Sequence, residues 1–261
     1  MEDVMIPEKR RSKILKLLSQ KDVSSVDEFV EAFGVSRITV QRDITALSKQ
    51  GLVEKVHGGV KLKRSDRRLF ETLFARRLQR EQEKKAEIAR RAADYVQNHS
   101  TVFIDSSSTC YIFAQEVFRR QCTDLTVLTN SPAILFESLK YSHVRLISTG
   151  GELQQNFNMF SGHWVVEFLE NVNLDQAFIS AAGISKSLKL TTSNAYLAEI
   201  LKAVFHQSKS VNVLADSTKF FKSAMLNVAE LAHCDRLISD AGLAGKLQPY
   251  RELLTTVEIL C

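Results

Sequence analysis

Seven short apolar runs in the last 161 residues constrain this chain more than any other feature: TVFID (101–105), LTVLT (125–129), VRLIST (144–149), AFISA (177–181), VNVLAD (211–216), RLISD (236–240) and TVEIL (256–260). Amphipathic stretches such as 111–120 and 195–207 lie between several of them. Strands that are apolar throughout are buried on both faces, and strands separated by helices pair in parallel. The expectation is an α/β domain on a mostly parallel sheet, with a core large enough to stand alone.

In such sheets ligands sit beyond the carboxyl ends of the strands, often against a helix N-terminus. Small, hydroxyl and charged residues gather there: Asp105, Ser106, Ser107, Ser108 and Thr109 after the first run, Thr129 and Asn130 after the second, and Gly150 and Gly151 after the third. Ala182 and Gly183 follow the fourth run, and Asp216, Ser217 and Lys219 the fifth. Small residues let backbone N–H groups approach an anion, and Lys219 can neutralise it. Together they suggest a pocket for a small phosphorylated or polyhydroxylated molecule.

The N-terminal third follows another pattern. Ile14, Leu15, Leu17 and Leu18 set an apolar face on a helix over 8–19, and a second helix runs over 26–33. Gly34 breaks the chain and Ser36 caps a third helix, RITVQRDITALSKQ, which stops at Gly51. Helix, short Gly-containing turn and helix make a helix-turn-helix. On the third helix Val40, Ile44 and Leu47 face inward, while Ile38, Gln41, Arg42, Thr45 and Lys49 face out. Arg42 can reach guanine edges or phosphates and Gln41 can pair with adenine, with Arg37 and Thr39 placed for phosphates. LVEKVHGGVKL (52–62) then alternates on both sides of Gly58–Gly59, the pattern of a β-hairpin. A hairpin after a recognition helix is a wing, and Lys55, His57, Lys61 and Lys63 would lay it against the phosphate backbone.

Charge divides along the same line. Residues 1–63 carry a net +3, residues 64–91 a net +5, and residues 92–261 a net −3, as expected when only one end meets a polyanion. The division predicted is a winged helix-turn-helix over 1–63, a basic helical linker over 64–85 whose arginines could skim DNA, and an effector-binding α/β domain over 86–261. A helix over 83–96, with Ile88, Ala89, Ala92, Ala93 and Val96 inward, opens that domain. Cys110, Cys122, Cys234 and Cys261 lack metal-ligand or disulfide spacing, and no apolar run approaches the ~18 residues of a membrane span. The expectation is a cytoplasmic protein with reduced cysteines, no bound metal and no cofactor.

The stretch VSRITVQRDITALSKQGLVEKVHGGV resembles the signature of DeoR-type transcriptional regulators, through Val35–Ser36, Thr39, Arg42–Asp43, Leu47, Gly51 and the Val-His-Gly-Gly wing. That family usually carries two adjacent arginines where this chain has Gln41–Arg42, which implies a changed base preference. The resemblance also implies that Arg10, at the start of the first helix, contacts phosphate. IDSSST, LTNS, GGEL, AAGIS, LTTSN and ADSTKF are similar to the family's effector domain, itself similar to sugar-phosphate isomerases, and they add Thr191 to the ligand residues. Ser107, Lys189 and Phe221 stand where the family often has glycine.

An aldose–ketose isomerase needs a positioned carboxylate base and a group to polarise the carbonyl. Asp105, Glu199 and Asp216 are candidates for the base and Lys219 for the polariser, each with an alternative reading as a helix cap, loop ligand or solvated side chain. The resemblance implies a pocket kept for sensing, with no catalytic residue. The function expected is a repressor of a carbohydrate-utilisation operon, a homodimer or homotetramer that binds double-stranded operator DNA and is released by a sugar phosphate. An isomerase with a DNA-binding appendage, or a DNA binder whose larger domain only oligomerises, are the alternatives.

Overall fold

Pro7 supplies a fixed φ at the first position of helix α1, Pro7–Gln20. Helix α2, Val26–Phe33, is capped by Ser25, whose Oγ accepts from Glu28 N at 3.2 Å, and ends at Gly34 in the left-handed region. Ser36 Oγ then accepts from Thr39 N at 3.3 Å to open helix α3, Arg37–Lys49. Strands β1, Val53–Val56, and β2, Gly59–Leu62, pair antiparallel with Val53 opposite Leu62. Val60 also bridges Ser24, and a Cβ on Gly59 would lie 2.5 Å from the Ser24 carbonyl, so only glycine lets the wing close on the α1–α2 connection. The computed structural model describes residues 6–21, 23–49, 51–56, 58–62, 72–120 and 122–261. His57, Lys63 and linker residues 64–71, which carried expectations above, lie outside the described residues.

These elements share one core of Ile14, Leu18, Phe29, Val40, Ile44, Leu47, Val53, Val60 and Leu62. The inward face of α3 is as expected. On α1, Leu17 lies at the surface instead, since Ile14 and Leu18 already meet α3 and the wing. Arg10 is a further correction. Its side chain is turned inward and bonds Asp43 of α3, the pair being only 8% and 2% exposed, while Arg11 Nε bonds the other carboxylate oxygen at 2.9 Å. A guanidinium held this way is a structural cation, not a surface contact for phosphate.

The chain divides into two units, Met1–Arg76 and Arg77–Cys261, and the division falls inside the expected linker. The described part of that linker holds helix α4, Leu73–Gln79, and the start of α5, Gln82–Ala93. The second unit is built on strands β3 (Thr101–Ile104), β4 (Thr126–Thr129), β5 (Arg145–Ser148), β8 (Leu174–Ile179), β11 (Ser208–Leu214), β13 (Arg236–Ile238) and β14 (Glu258–Leu260). They form one parallel sheet in the order β14-β13-β11-β8-β3-β4-β5. All seven apolar runs are strands of it.

Both faces are covered, as the apolar runs require. Ile88, Ala92, Phe113, Phe118 and Ile134, from α5, α6 (Ser108–Arg119) and α7 (Pro132–Ser138), pack on the side of Val102, Ile104 and Val127. Val165, Leu169, Ile200 and Val204, from α8 (His163–Glu170) and α9 (Ala195–Gln207), pack on the side of Phe103, Ala177 and Val213. Two smaller sheets were not expected: the hairpin β6 (Glu152–Gln154) with β7 (Met159–Ser161), and an antiparallel sheet of β9 (Gly183–Ile184), β10 (Lys189–Thr192) and β12 (Leu226–Glu230). Strands of two to five residues are too short to show a period.

Breaking the buried pair tests the first unit's architecture. Asp43→Ala leaves the Arg10 guanidinium buried beside no carboxylate and is expected to cost about 3–5 kcal/mol, read as a lower urea midpoint for the N-terminal transition. An unchanged midpoint would show that Arg10 swings out to solvent.

Candidate functional site

The N-terminal unit presents the outer face of α3. Ile38, Gln41, Arg42, Thr45 and Lys49 are exposed and, with Ala46, line one shallow groove. Thr39 is half-buried with its hydroxyl 2.9 Å from that of Ser36, and Arg37 is paired with Asp27. Lys55 of the wing reaches Thr45 Oγ1 at 3.3 Å, and Lys61 pairs with Glu54 across the hairpin at 2.8 Å. Among the described residues Arg42 has no ion pair, so its guanidinium is available to a partner. Gly58 is exposed at the wing tip, with φ 85°. Gln41, Arg42, Thr45 and Lys49 therefore stand together on one face, as expected; Arg10 does not join them.

In the second unit the chain runs outward from β3 to β4 and β5, then returns to place β8 on the other side of β3. That reversal is the switch point at which parallel sheets open a crevice beyond the strand ends. Asp105, just past β3, is 1% exposed, and its two carboxylate oxygens accept from Ser107 N at 2.7 Å and Ser180 N at 2.8 Å. Burial pushes its pKa up, and the bonds from Ser107 and Ser180 pull it back. The carboxylate thus links the loop after β3 to the loop after β8.

From that linkage α6 begins. Ser107 Oγ accepts from Cys110 N at 3.1 Å as its N-cap, and Ser106–Thr109 place the first turn's hydroxyls and amides at the crevice. A second helix points its N-terminus at the same space: Asn194 Oδ1 caps α9 by accepting from Leu197 N at 3.1 Å, and Ser193 lies beside it. The result is a cavity of about 280 Å³ whose lining includes both helix N-termini, the cations Arg77, Arg80 and Lys219, and the apolar side chains of Phe157, Met159 and Leu197. Burial lowers the Lys219 pKa, Asp216 opposes the shift, and Arg77, Lys222 and Arg80 add to it. Burial brings the Lys85 ammonium down to about 8, with Asp216 acting against the shift and Lys219 and Arg77 adding to it. Positive ends of helices and crowded cations favour an anion.

Asp105, Ser106, Ser107, Ser108, Thr109 and Lys219 line the cavity as the sequence suggested. Seven other expected residues do not, and each has a structural task. Thr129 donates to Ile104 O at 2.7 Å and accepts from Ser131 N, while Asn130 is fully buried and its main-chain carbonyl accepts from Phe160 N at 2.7 Å, its side-chain amide having no partner among the described residues. Gly150 carries φ 63° in the turn after β5, and a Cβ on Gly151 would meet Ser161 O at 2.7 Å. Gly183 lies in β9 against the Lys222 carbonyl, and Thr191 donates to Gly183 O at 2.8 Å. Asp216 accepts from Thr218 N at 3.0 Å. Glu199 is exposed on α9.

The three positions where glycine was expected also resolve. Ser107 is the N-cap, Lys189 pairs with Glu230 at 3.7 Å beside Leu188 at φ 55°, and Phe221 takes φ 60° and stacks on Tyr250. Neither Lys189 nor Phe221 lines the cavity. Missed from the sequence were Arg77, Arg80, Ser180, Ser193, Asn194, Phe157 and Met159. The two arginines lay in a stretch read as linker, although ARRLQR places them three apart on one helical face.

Models of a DeoR-like helix-turn-helix domain and a DeoR C-terminal sensor domain match residues 10–66 and 80–241. Among curated relatives, the HTH-type transcriptional regulator IolR of Bacillus subtilis is 34% identical over 80% of this chain and 82% of its own. GolR of Listeria innocua is 32% identical over 90% and 91%, and the glycerol-3-phosphate regulon repressor of Escherichia coli is 28% identical over 89% and 90%.

Asp105→Ala leaves the Ser107 and Ser180 amides without their acceptor and is expected to destabilise the second unit by at least about 1–3 kcal/mol in urea melts. Unaltered stability would mean that the two loops hold their places without the carboxylate.

Proposed function

The chain belongs to the DeoR family of DNA-binding transcriptional regulators, and from that premise we propose that it is a repressor released from its operator by a phosphorylated sugar or polyol. One observation carries the ligand half of this reading: Arg77, Arg80 and Lys219 converge with two helix N-termini on a single cavity. A phosphate monoester brings close to two negative charges and three acceptor oxygens to such a site. Phe157, Met159 and Leu197 offer apolar contact to a carbon skeleton, and the serine and threonine hydroxyls can bond its oxygens. The relative named as a repressor of the glycerol-3-phosphate regulon supports the same ligand class.

For the DNA half, Gln41, Arg42, Thr45 and Lys49 enter the major groove, Arg42 against guanine and Gln41 against adenine, with the wing on the backbone. Arg37 must exchange Asp27 for a phosphate to take part. Two such readers on a palindromic site require a homodimer or homotetramer, acting in the cytoplasm where the operator is. Release requires that the ligand bind the operator-bound and free conformations with different affinity. No helix among the described residues is long and apolar enough to cross a membrane.

The deciding experiment measures binding to DNA upstream of the protein's own gene, at fixed salt, across a panel of sugar phosphates. Release by one compound identifies the effector; tight binding indifferent to the whole panel would sink the ligand half. Arg42→Ala is expected to cost about 1–3 kcal/mol of specific operator binding, and an equal loss on random DNA would make Arg42 a phosphate contact only. Lys219→Ala is expected to spare operator binding and abolish the response to the effector in the same assay.

A pH dependence follows from the buried amines. An anion stabilises the protonated forms of Lys85 and Lys219, so effector affinity is full where they are protonated and falls as pH rises through their lowered pKa values, about 8 for Lys85. A titration between pH 7 and 9, where the phosphate stays dianionic, reads this directly; flat affinity would show that neither amine's protonation is linked to ligand binding.

A further inference from the structure

Arg77 is the first residue of the sensor unit, and the helix that carries it, α4, begins at Leu73 in the stretch assigned to the N-terminal unit. Arg80 follows one residue past the end of that helix, just before Glu81 takes φ 50° and α5 begins. Two of the three lining cations therefore come from the segment that leads to the DNA reader. The third, Lys219, comes from the loop after β11 on the sheet itself.

The backbone of this segment is held at the same place. Lys85, on the first turn of α5, is 3% exposed, and its ammonium donates to the main-chain carbonyls of both Arg77 and Arg80. Carbonyls at a helix end lack intrahelical partners, and a buried cation satisfies them. Because α5 is fixed in the core by Ile88, Ala89 and Ala92, Lys85 fastens the end of α4 to the sensor unit. Arg77 Nη2 adds a contact at 3.5 Å to the Phe157 carbonyl.

We propose that the last turn of α4 is part of the ligand site: Arg77 and Arg80 grasp the anion and Lys85 is the positioning residue that holds their backbone, so the ligand acts directly on the segment leading to the DNA reader. This inference rests on the anion-site reading above and names its route of regulation. A seven-residue helix is marginal alone, so its order depends on what its end touches. An anion between Arg77, Arg80 and Lys219 offsets their mutual repulsion and favours the ordered segment, a change in order that both sites can sense.

The test is hydrogen exchange on the full chain with inorganic phosphate as the probe. In the wild type, phosphate is expected to slow exchange at two places, the amides of 106–109 and those of 74–81. At saturating phosphate, Lys85→Met and Arg80→Gln are expected to keep the first protection and lose the second. Arg80 is exposed, so Arg80→Gln keeps the test independent of folding. Protection at 106–109 alone in the wild type, or protection of 74–81 that persists in Arg80→Gln, would overturn this inference and leave the anion site standing. Protection at neither place would overturn both.

Discussion

A buried carboxylate sets the geometry of the sensor unit. Asp105 accepts one backbone amide from its own loop and one from the loop after β8, across the point where the sheet reverses direction. Removing an ion from water is costly, and only full hydrogen bonding makes a buried carboxylate tolerable. That requirement fixes the two loops relative to each other. With them it fixes the N-terminus of α6, so the cavity follows from a local demand for charge satisfaction.

Around that fixed point the cations are in tension. Lys219 and Arg77 are both held below their usual pKa by burial, and each cation lies within the field of others. Asp216, bonded to Thr218, softens this without occupying the cavity. A site strained by like charge binds an anion with relief of repulsion, and that relief is energy available to shift a conformational equilibrium. The winged-helix unit uses the opposite device. Arg10 and Arg11 converge on Asp43, which ties α1 to α3 and leaves the outer face of α3 to its own exposed side chains.

Much was legible in the sequence because its causes are local. An all-apolar strand must be buried on both faces, so TVFID and its six counterparts predicted the parallel sheet. The period of Val40, Ile44 and Leu47 separated the core side of α3 from the face that carries Arg42. Ser36, Gly34 and Gly58–Gly59 marked caps and turns through backbone preferences that act within a few residues. Hydroxyl-rich strand ends pointed to the loop after β3, which lines the cavity.

What only the tertiary structure decided is which of those strand ends share a space. Neighbouring motifs such as LTN, TGG and AAG look alike in sequence, yet Thr129, Gly151, Gly183 and Asp216 are consumed by packing and hydrogen bonds while Ser106–Thr109 line the cavity. Arg10, a phosphate contact by resemblance, is claimed by Asp43 from 33 residues away. Arg77 and Arg80, in a stretch that read as a basic helical linker, line the cavity because α4 ends there. The sequence determined local conformation and burial, since those are set by each residue and its near neighbours. The fold decided partnership, since a charge or a glycine takes its role from whatever distant chain it meets.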